Sequence, residues 1–195
     1  LNQFSTYLTL GFQHIADLTA YDHILFIVAL CAVYRISEWK SIAAMVTAFT
    51  IGHSLTLVLA TLKIILLPSS LIEFLIPVTI LLTCFYNISV SGSKHRSASI
   101  VRLNYGLALF FGLIHGMGFS NYLRMLLGRE ESILTPLFAF NIGLEGGQML
   151  IVACVLALLY TVERLLNVRH RDWTIFVSGA AAGISLILLS ETKFW

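Results

Sequence analysis

Apolar residues fill seven segments, approximately 4–18, 22–35, 41–66, 71–90, 102–127, 133–162 and 173–191, separated by short polar turns. Most of these segments approach or exceed the roughly 20 residues that a helix needs to cross a hydrocarbon core. No stretch is Pro-rich or of low complexity, and no convincing internal repeat stands out. The pattern predicts one all-α membrane domain over residues 1–195, a compact bundle of six to seven transmembrane helices.

The turns carry local signals. Ser70-x-x-Glu73 ahead of an apolar run reads as a capping box, which makes Glu73 structural, with an entrance-lining role as the alternative. Ser37 before Glu38 and Lys40 opens the third segment in a similar, weaker way. Residues 4–34 as one straight helix would measure about 46 Å, against a core of about 30 Å. The polar interruption from Asp17 to Asp22 therefore predicts a first helix broken near residues 17–22. Irregular backbone at membrane depth is tolerated only where protein or a wet cavity covers it, so the break itself marks a site.

Composition sharpens this. The chain is 58% hydrophobic and 11% charged, where soluble domains average about a quarter charged. A net charge of +2 with no long basic run gives no sign of nucleic-acid binding. The clusters Lys94-His95-Arg96 and Arg169-His170-Arg171 read as loop anchors. Cys31, Cys84 and Cys154 sit singly in apolar runs and read as packing residues, with neither disulfides nor thiolate ligation indicated. No cleavable signal with a basic start is visible, and Leu1 in place of Met leaves room for a trimmed N-terminus. Alternating the loops puts eight of the 12 Lys and Arg on one side. The positive-inside rule then places the loops near 35–40, 91–102 and 163–172 in the cytoplasm and the C-terminus outside.

Seven ionisable residues fall inside the apolar segments: His14, Asp17, Asp22, His23, His53, His115 and Glu145. Each costs about 2.5–3.5 kcal/mol to insert, so each needs a partner. Counting about 1.5 Å per residue from the segment ends puts His23, His53, His115 and Glu145 near one level in mid-membrane. Scattered packing histidines would have no reason to share a level. Imidazole and carboxylate without thiolate suit a divalent first-row ion such as Zn, Ni or Co. Adjacent Asp22 and His23 point about 100° apart on a helix, so both face one site only at a break, or Asp22 orients the imidazole instead. His14 and Asp17, at i and i+3, share a helix face. Asn141 and Gln148 lie on the face of Glu145, placed to orient it. Glycines around His53, His115 and Glu145 permit close helix packing and equally the unwinding of a site. Ser54 and Thr56 carry little weight beyond back-bonding to carbonyls.

Four blocks, in this order, resemble the HupE/UreJ family of membrane proteins. They are His14-Ile15 with Tyr21-Asp22-His23-Ile24-Leu25-Phe26, then the stretch from Ala48 to Leu57, then Phe111 to Phe119, then Phe140 to Gln148. The resemblance implies a nickel or cobalt transporter in the cytoplasmic (inner) membrane of a bacterium. By motif position it implies His14, Asp22, His23, His53, His115 and Glu145 as the metal-handling set. The eight-residue step from His14 to Asp22 and the stretch Thr19-Ala20-Tyr21, where better-known members carry Gly, match the second and broader branch of the family.

The expectation is a divalent-metal permease, its partners the lipid bilayer and the ion, with Asp17, Glu73, Asn141 and Gln148 around the site or its entrance. Two rivals stay open. One is an intramembrane zinc hydrolase acting on a lipid or peptide with Glu145 as base, although no H-E-x-x-H signature is present. The other is a membrane assembly factor whose polar cluster only locks the helices.

Overall fold

The computed structural model describes residues 2–19, 21–65, 67–91, 98–127 and 133–192, and these are helical with no strand among them. The elements are α1 (Gln3–Ile15), α2 (Asp22–Cys31), a 3₁₀ turn (Ile36–Glu38), α3 (Trp39–Thr61), α4 (Ser69–Val90), α5 (Ala98–Leu127), α6 (Leu134–Leu165) and α7 (His170–Glu191). Among the described residues, four helical stretches, Ile36–Thr61, Ser69–Val90, Leu134–Leu165 and His170–Glu191, are long and apolar enough to cross a membrane. Lys94, His95, Arg96, Arg129 and Lys193 lie outside the described residues, as do the side chains of Arg102 and Arg124.

The break expected near 17–22 is present. α1 stops at Ile15 and α2 starts at Asp22. Between them Asp17 Oδ1 accepts from the Thr19 N–H at 2.8 Å and from its hydroxyl at 2.7 Å, an Asx turn that closes the chain on itself. Asp17 is thus past the helix end and shares no helix face with His14, contrary to the i, i+3 expectation. Two cap expectations also fail. α4 begins two residues early, at Ser69, with Pro68 as its N-cap and no side-chain cap bond, so Ser70 and Glu73 form no capping box. At the start of the third segment it is Glu38, not Ser37, that reaches back, accepting from the Arg35 N–H at 2.8 Å.

Glycine decides which helices pair. A Cβ on Gly11 would overlap Phe140 O, and one on Gly143 would overlap Leu8 O, so α1 and α6 touch backbone to backbone. A Cβ on Gly52 would meet Leu109 O and one on Gly112 would meet Phe49 O, so α3 and α5 do the same. The next glycines give the direction: Gly143 meets Leu8 and Gly147 meets Ile15, while Gly112 meets Phe49 and Gly116 meets His53, so each pair runs parallel. A polar seam joins the pairs: Thr47 donates to Glu145 Oε1, Thr50 to Gln148 Oε1 and Ser54 to Asn141 Oδ1, each at 2.6 Å. From the Thr47–Glu145 contact to the Ser54–Asn141 contact one number rises as the other falls, so α3 and α6 are antiparallel.

α4 and α7 pack antiparallel at the side, with Asn87 Nδ2 donating to Ser178 Oγ at 3.3 Å and to Ala29 O of α2 at 2.7 Å. His170, in the second basic cluster, ties three elements together. Its Nδ1 lies 2.9 Å from Glu163 Oε1 and its Nε2 lies 3.2 Å from Val33 O. Thr174 donates to Ala32 O at 2.9 Å. These contacts put Arg35, Lys40, Arg164, Arg169 and Arg171 at one end of the bundle, hereafter the Trp39 end. The start of α6 marks the other, the Leu134 end. α2 runs antiparallel to α7, as α6 does, so α1 and α2 follow one another in the same direction from the Leu134 end.

The exterior is apolar and the interior carries the polar groups. Phe176, Leu158, Phe85 and Leu82 are exposed, whereas His53, His115, Gln148, Ser178 and Ser185 are fully buried. With lipid outside, this is the expected distribution for a multi-pass membrane protein. The three cysteines are free, Cys31 and Cys84 buried and Cys154 on the surface.

Candidate functional site

Four of the six histidines come together where the two glycine-packed pairs meet the break. His14 sits in the last turn of α1 and His23 in the first turn of α2. His53 follows Gly52 on α3, and His115 lies three residues after Gly112 on α5. Close backbone approach is what brings these short side chains within reach. Ring centroids are 4.7 Å apart for His14 and His23, 5.8 Å for His14 and His53, 5.9 Å for His23 and His53, and 5.3 Å for His23 and His115. Rings whose nitrogens share one tetrahedral ion would have centroids roughly 5–5.5 Å apart, given metal–nitrogen bonds of about 2.0–2.1 Å. The observed spacings fall within and on either side of that range, and the rings do not converge: among the described residues no three His, Cys, Asp or Glu side chains are set to hold an ion as placed.

The polar bookkeeping of these rings is incomplete. His53 and His115 are 0% exposed and His23 is 5% exposed. His14 Nε2, His23 Nε2, both nitrogens of His53 and His115 Nδ1 are buried without a hydrogen-bond partner. A buried polar atom left unpaired costs about 1–3 kcal/mol, so five around one spot form a concentrated debt. Two contacts do orient rings. Asp22 Oδ1 lies 3.1 Å from His23 Nδ1 and accepts its main-chain N–H at 2.9 Å, leaving Nε2 facing the cluster. Thr79 Oγ1, on α4, lies 3.1 Å from His115 Nε2 and donates to Ile76 O.

The remaining sequence candidates fall elsewhere. Glu145, expected at the level of the histidines, accepts from Thr47, six residues before His53 on α3, and joins the seam rather than the rings. It is the carboxylate that the hydrolase alternative needs as base, and its observed partner is a hydroxyl. Asn141 and Gln148 do not orient Glu145; they bond to Ser54 and Thr50 across the seam. Ser54 and Thr56 back-bond to carbonyls as expected, and Ser54 also bridges to α6. Asp17 lines a cavity of about 650 Å³ that reaches His14 between Phe119 and Tyr122. Glu73 is exposed and lines a smaller cavity of about 200 Å³ with Asp22, Thr19 and Tyr21.

Thr79 is the contact that the sequence did not mark. A threonine in an apolar run is common, and only its place two residues after Pro77, where the helix lacks an N–H, sets it apart. Aromatic rings close the cluster on both sides. Phe26 and Phe49 stack at 4.9 Å and pack on His115, while Phe119 and Phe140 stack at 5.3 Å and pack on His14.

A family model described as HupE / UreJ protein matches residues 1–192, nearly the whole chain. No curated relative and no solved structure matches it.

Proposed function

The chain belongs to the HupE/UreJ family, and on that premise we propose that it is a membrane transporter for a divalent transition-metal ion of the nickel or cobalt type. The observation that carries this reading is the group of five unpartnered buried imidazole nitrogens on His14, His23, His53 and His115. Neutral imidazole is a ligand for Ni, Co and Zn, and one ion would satisfy four of these five nitrogens, one from each ring. Small ring rotations would turn the observed spacing into ligation. Asp22 then acts through His23, fixing its tautomer as carboxylates commonly do behind a metal-bound imidazole. Glu145 stands one step away, positioning α3 against α6.

The α1–α2 pair, α3, α4, α5, α6 and α7 make six crossings. The excess of arginine and lysine at the Trp39 end assigns that end to the cytoplasm and the C-terminus to the outside. The cavity between Gln13, His14, Asp17 and Phe119 is then the outer vestibule, through which the ion loses water to His14 first. Protons compete for the same nitrogens, so binding weakens as pH falls.

The test is accumulation of nickel or cobalt by cells expressing the wild type, His53→Ala or His115→Ala at equal membrane levels. Both variants should abolish uptake. Uptake equal to wild type in both would refute the reading.

A further inference from the structure

The glycine contacts of the two helix pairs are reciprocal in the same way. Gly11 meets the carbonyl of the residue three before Gly143, and Gly143 meets that of the residue three before Gly11. Gly52 and Gly112 repeat this through Leu109 O and Phe49 O. The sequences at these points also match. Leu8-x-x-Gly11-x-x-His14 on α1 corresponds to Leu109-x-x-Gly112-x-x-His115 on α5, and Ala48-Phe49-x-Ile51-Gly52 on α3 to Ala139-Phe140-x-Ile142-Gly143 on α6. α1 pairs with α6 as α5 pairs with α3, and α4 pairs with α7. Each corresponding element runs opposite to its mate: α1 to α5, α3 to α6, α4 to α7. The described helices thus form two three-part units that run in opposite directions, and the histidines lie where the units meet.

The correspondence extends to the rings that close the cluster. Phe49 and Phe140 occupy the same motif position, one in each unit. Each stacks on a phenylalanine from the preceding part of its own unit, Phe119 one turn beyond His115 and Phe26 one turn beyond His23, which lies on α2 past the break and not at the motif position of His14. Because the units are inverted, the two stacks lie on opposite sides of the histidines. Phe26 and Phe49, joined by Phe111, face the Trp39 end. Beyond them is a cavity of about 290 Å³ lined by Phe111, Tyr34, Met45 and Asn104. Phe119 and Phe140 face the Leu134 end, where the wider cavity reaches His14.

We infer that the two stacked pairs, Phe26–Phe49 and Phe119–Phe140, are the two gates of the histidine cluster, anchored on the corresponding Phe49 and Phe140 of the inverted units and opened one at a time. This rests on the transport reading and says how the same site is exposed to each side. Inverted units sharing one central site give two mirror-related arrangements of the same contacts, the general route to alternating access. Each stack contributes little beyond its burial, a closure that modest motion can open.

The test uses the full chain in sealed membrane vesicles of each orientation, with Cys31, Cys84 and Cys154 replaced by serine and one reporter, Thr79→Cys, beside His115 between the gates. A membrane-impermeant charged methanethiosulfonate is the probe. Phe49→Ala should speed labelling about tenfold from the Trp39 side alone, and Phe140→Ala about tenfold from the Leu134 side alone, the response to losing about 1.4 kcal/mol of closure. If the alanine variants do not reach the membrane, Phe49→Leu and Phe140→Leu carry the same comparison with smaller changes of the same sidedness. Acceleration from the same side in both, or no acceleration in either, overturns the gates. Labelling needs no bound metal. Sided acceleration in a protein that accumulates no metal would remove the metal reading and leave the gates. Metal uptake without sidedness would do the reverse.

Discussion

Asp22 and His23 show how one residue prepares another. The carboxylate accepts from the ring and from the main-chain N–H of the same histidine, so the imidazole has one orientation and presents Nε2 to its neighbours. Asp22→Asn keeps the shape but loses the charge that holds the tautomer. It should weaken metal binding about 10–100-fold without unfolding the protein, readable by titrating purified protein with nickel. An unchanged affinity would show that Asp22 does not act through His23. The histidines were legible in the sequence because an imidazole in an apolar run carries an insertion cost that demands a reason. Glu145 was legible as a costly group, but counting residues along a helix gives depth and says nothing about azimuth, so its partner Thr47 was not. Thr79 was not legible because a hydroxyl that can bond to its own helix raises no such demand.

At the scale of the element, the break between α1 and α2 followed from length and polarity alone. The capping box did not form, because Pro68 already sets the approach to α4 and moves its start to Ser69. The glycines separate into two kinds that the sequence does not distinguish. At Gly52 and Gly112 an added methyl would strike main-chain carbonyls, which cannot move aside. Gly52→Ala or Gly112→Ala should therefore destabilise the α3–α5 pair by about 1–3 kcal/mol and lower the yield of folded protein. At Gly146 nothing lies within 4 Å. Gly146→Ala should be neutral or stabilise by up to about 1 kcal/mol through helix propensity. Thermal unfolding in detergent of the three variants side by side checks this, and equal behaviour would contradict the packing assigned to the α3–α5 pair. The internal repeat escaped the sequence reading for a related reason. Gly11 and Gly52 are 41 residues apart and Gly112 and Gly143 are 31 apart, because the first unit carries the broken helix and the 3₁₀ turn. A repeat of unequal period shows in contacts before it shows in letters.

For the whole molecule, helical class and membrane character were legible from hydropathy, and the family match over residues 1–192 agrees with the resemblance carried by four short blocks. Among the described residues four stretches meet the length and apolarity needed to cross a membrane; the proposal of six crossings adds α5 and the α1–α2 pair. Which helices touch was not legible, since a run of apolar residues does not name its neighbour. The parallel pairs and the seam between them are what gather four histidines from four elements. The most direct test of that gathering is the metal content of purified protein, wild type beside His115→Ala, both exposed to nickel and then desalted, with helicity compared by circular dichroism. Retained nickel in the wild type and its loss from an equally helical variant is the expected result. No nickel in the wild type, or equal amounts in both, would contradict a metal site at the four histidines.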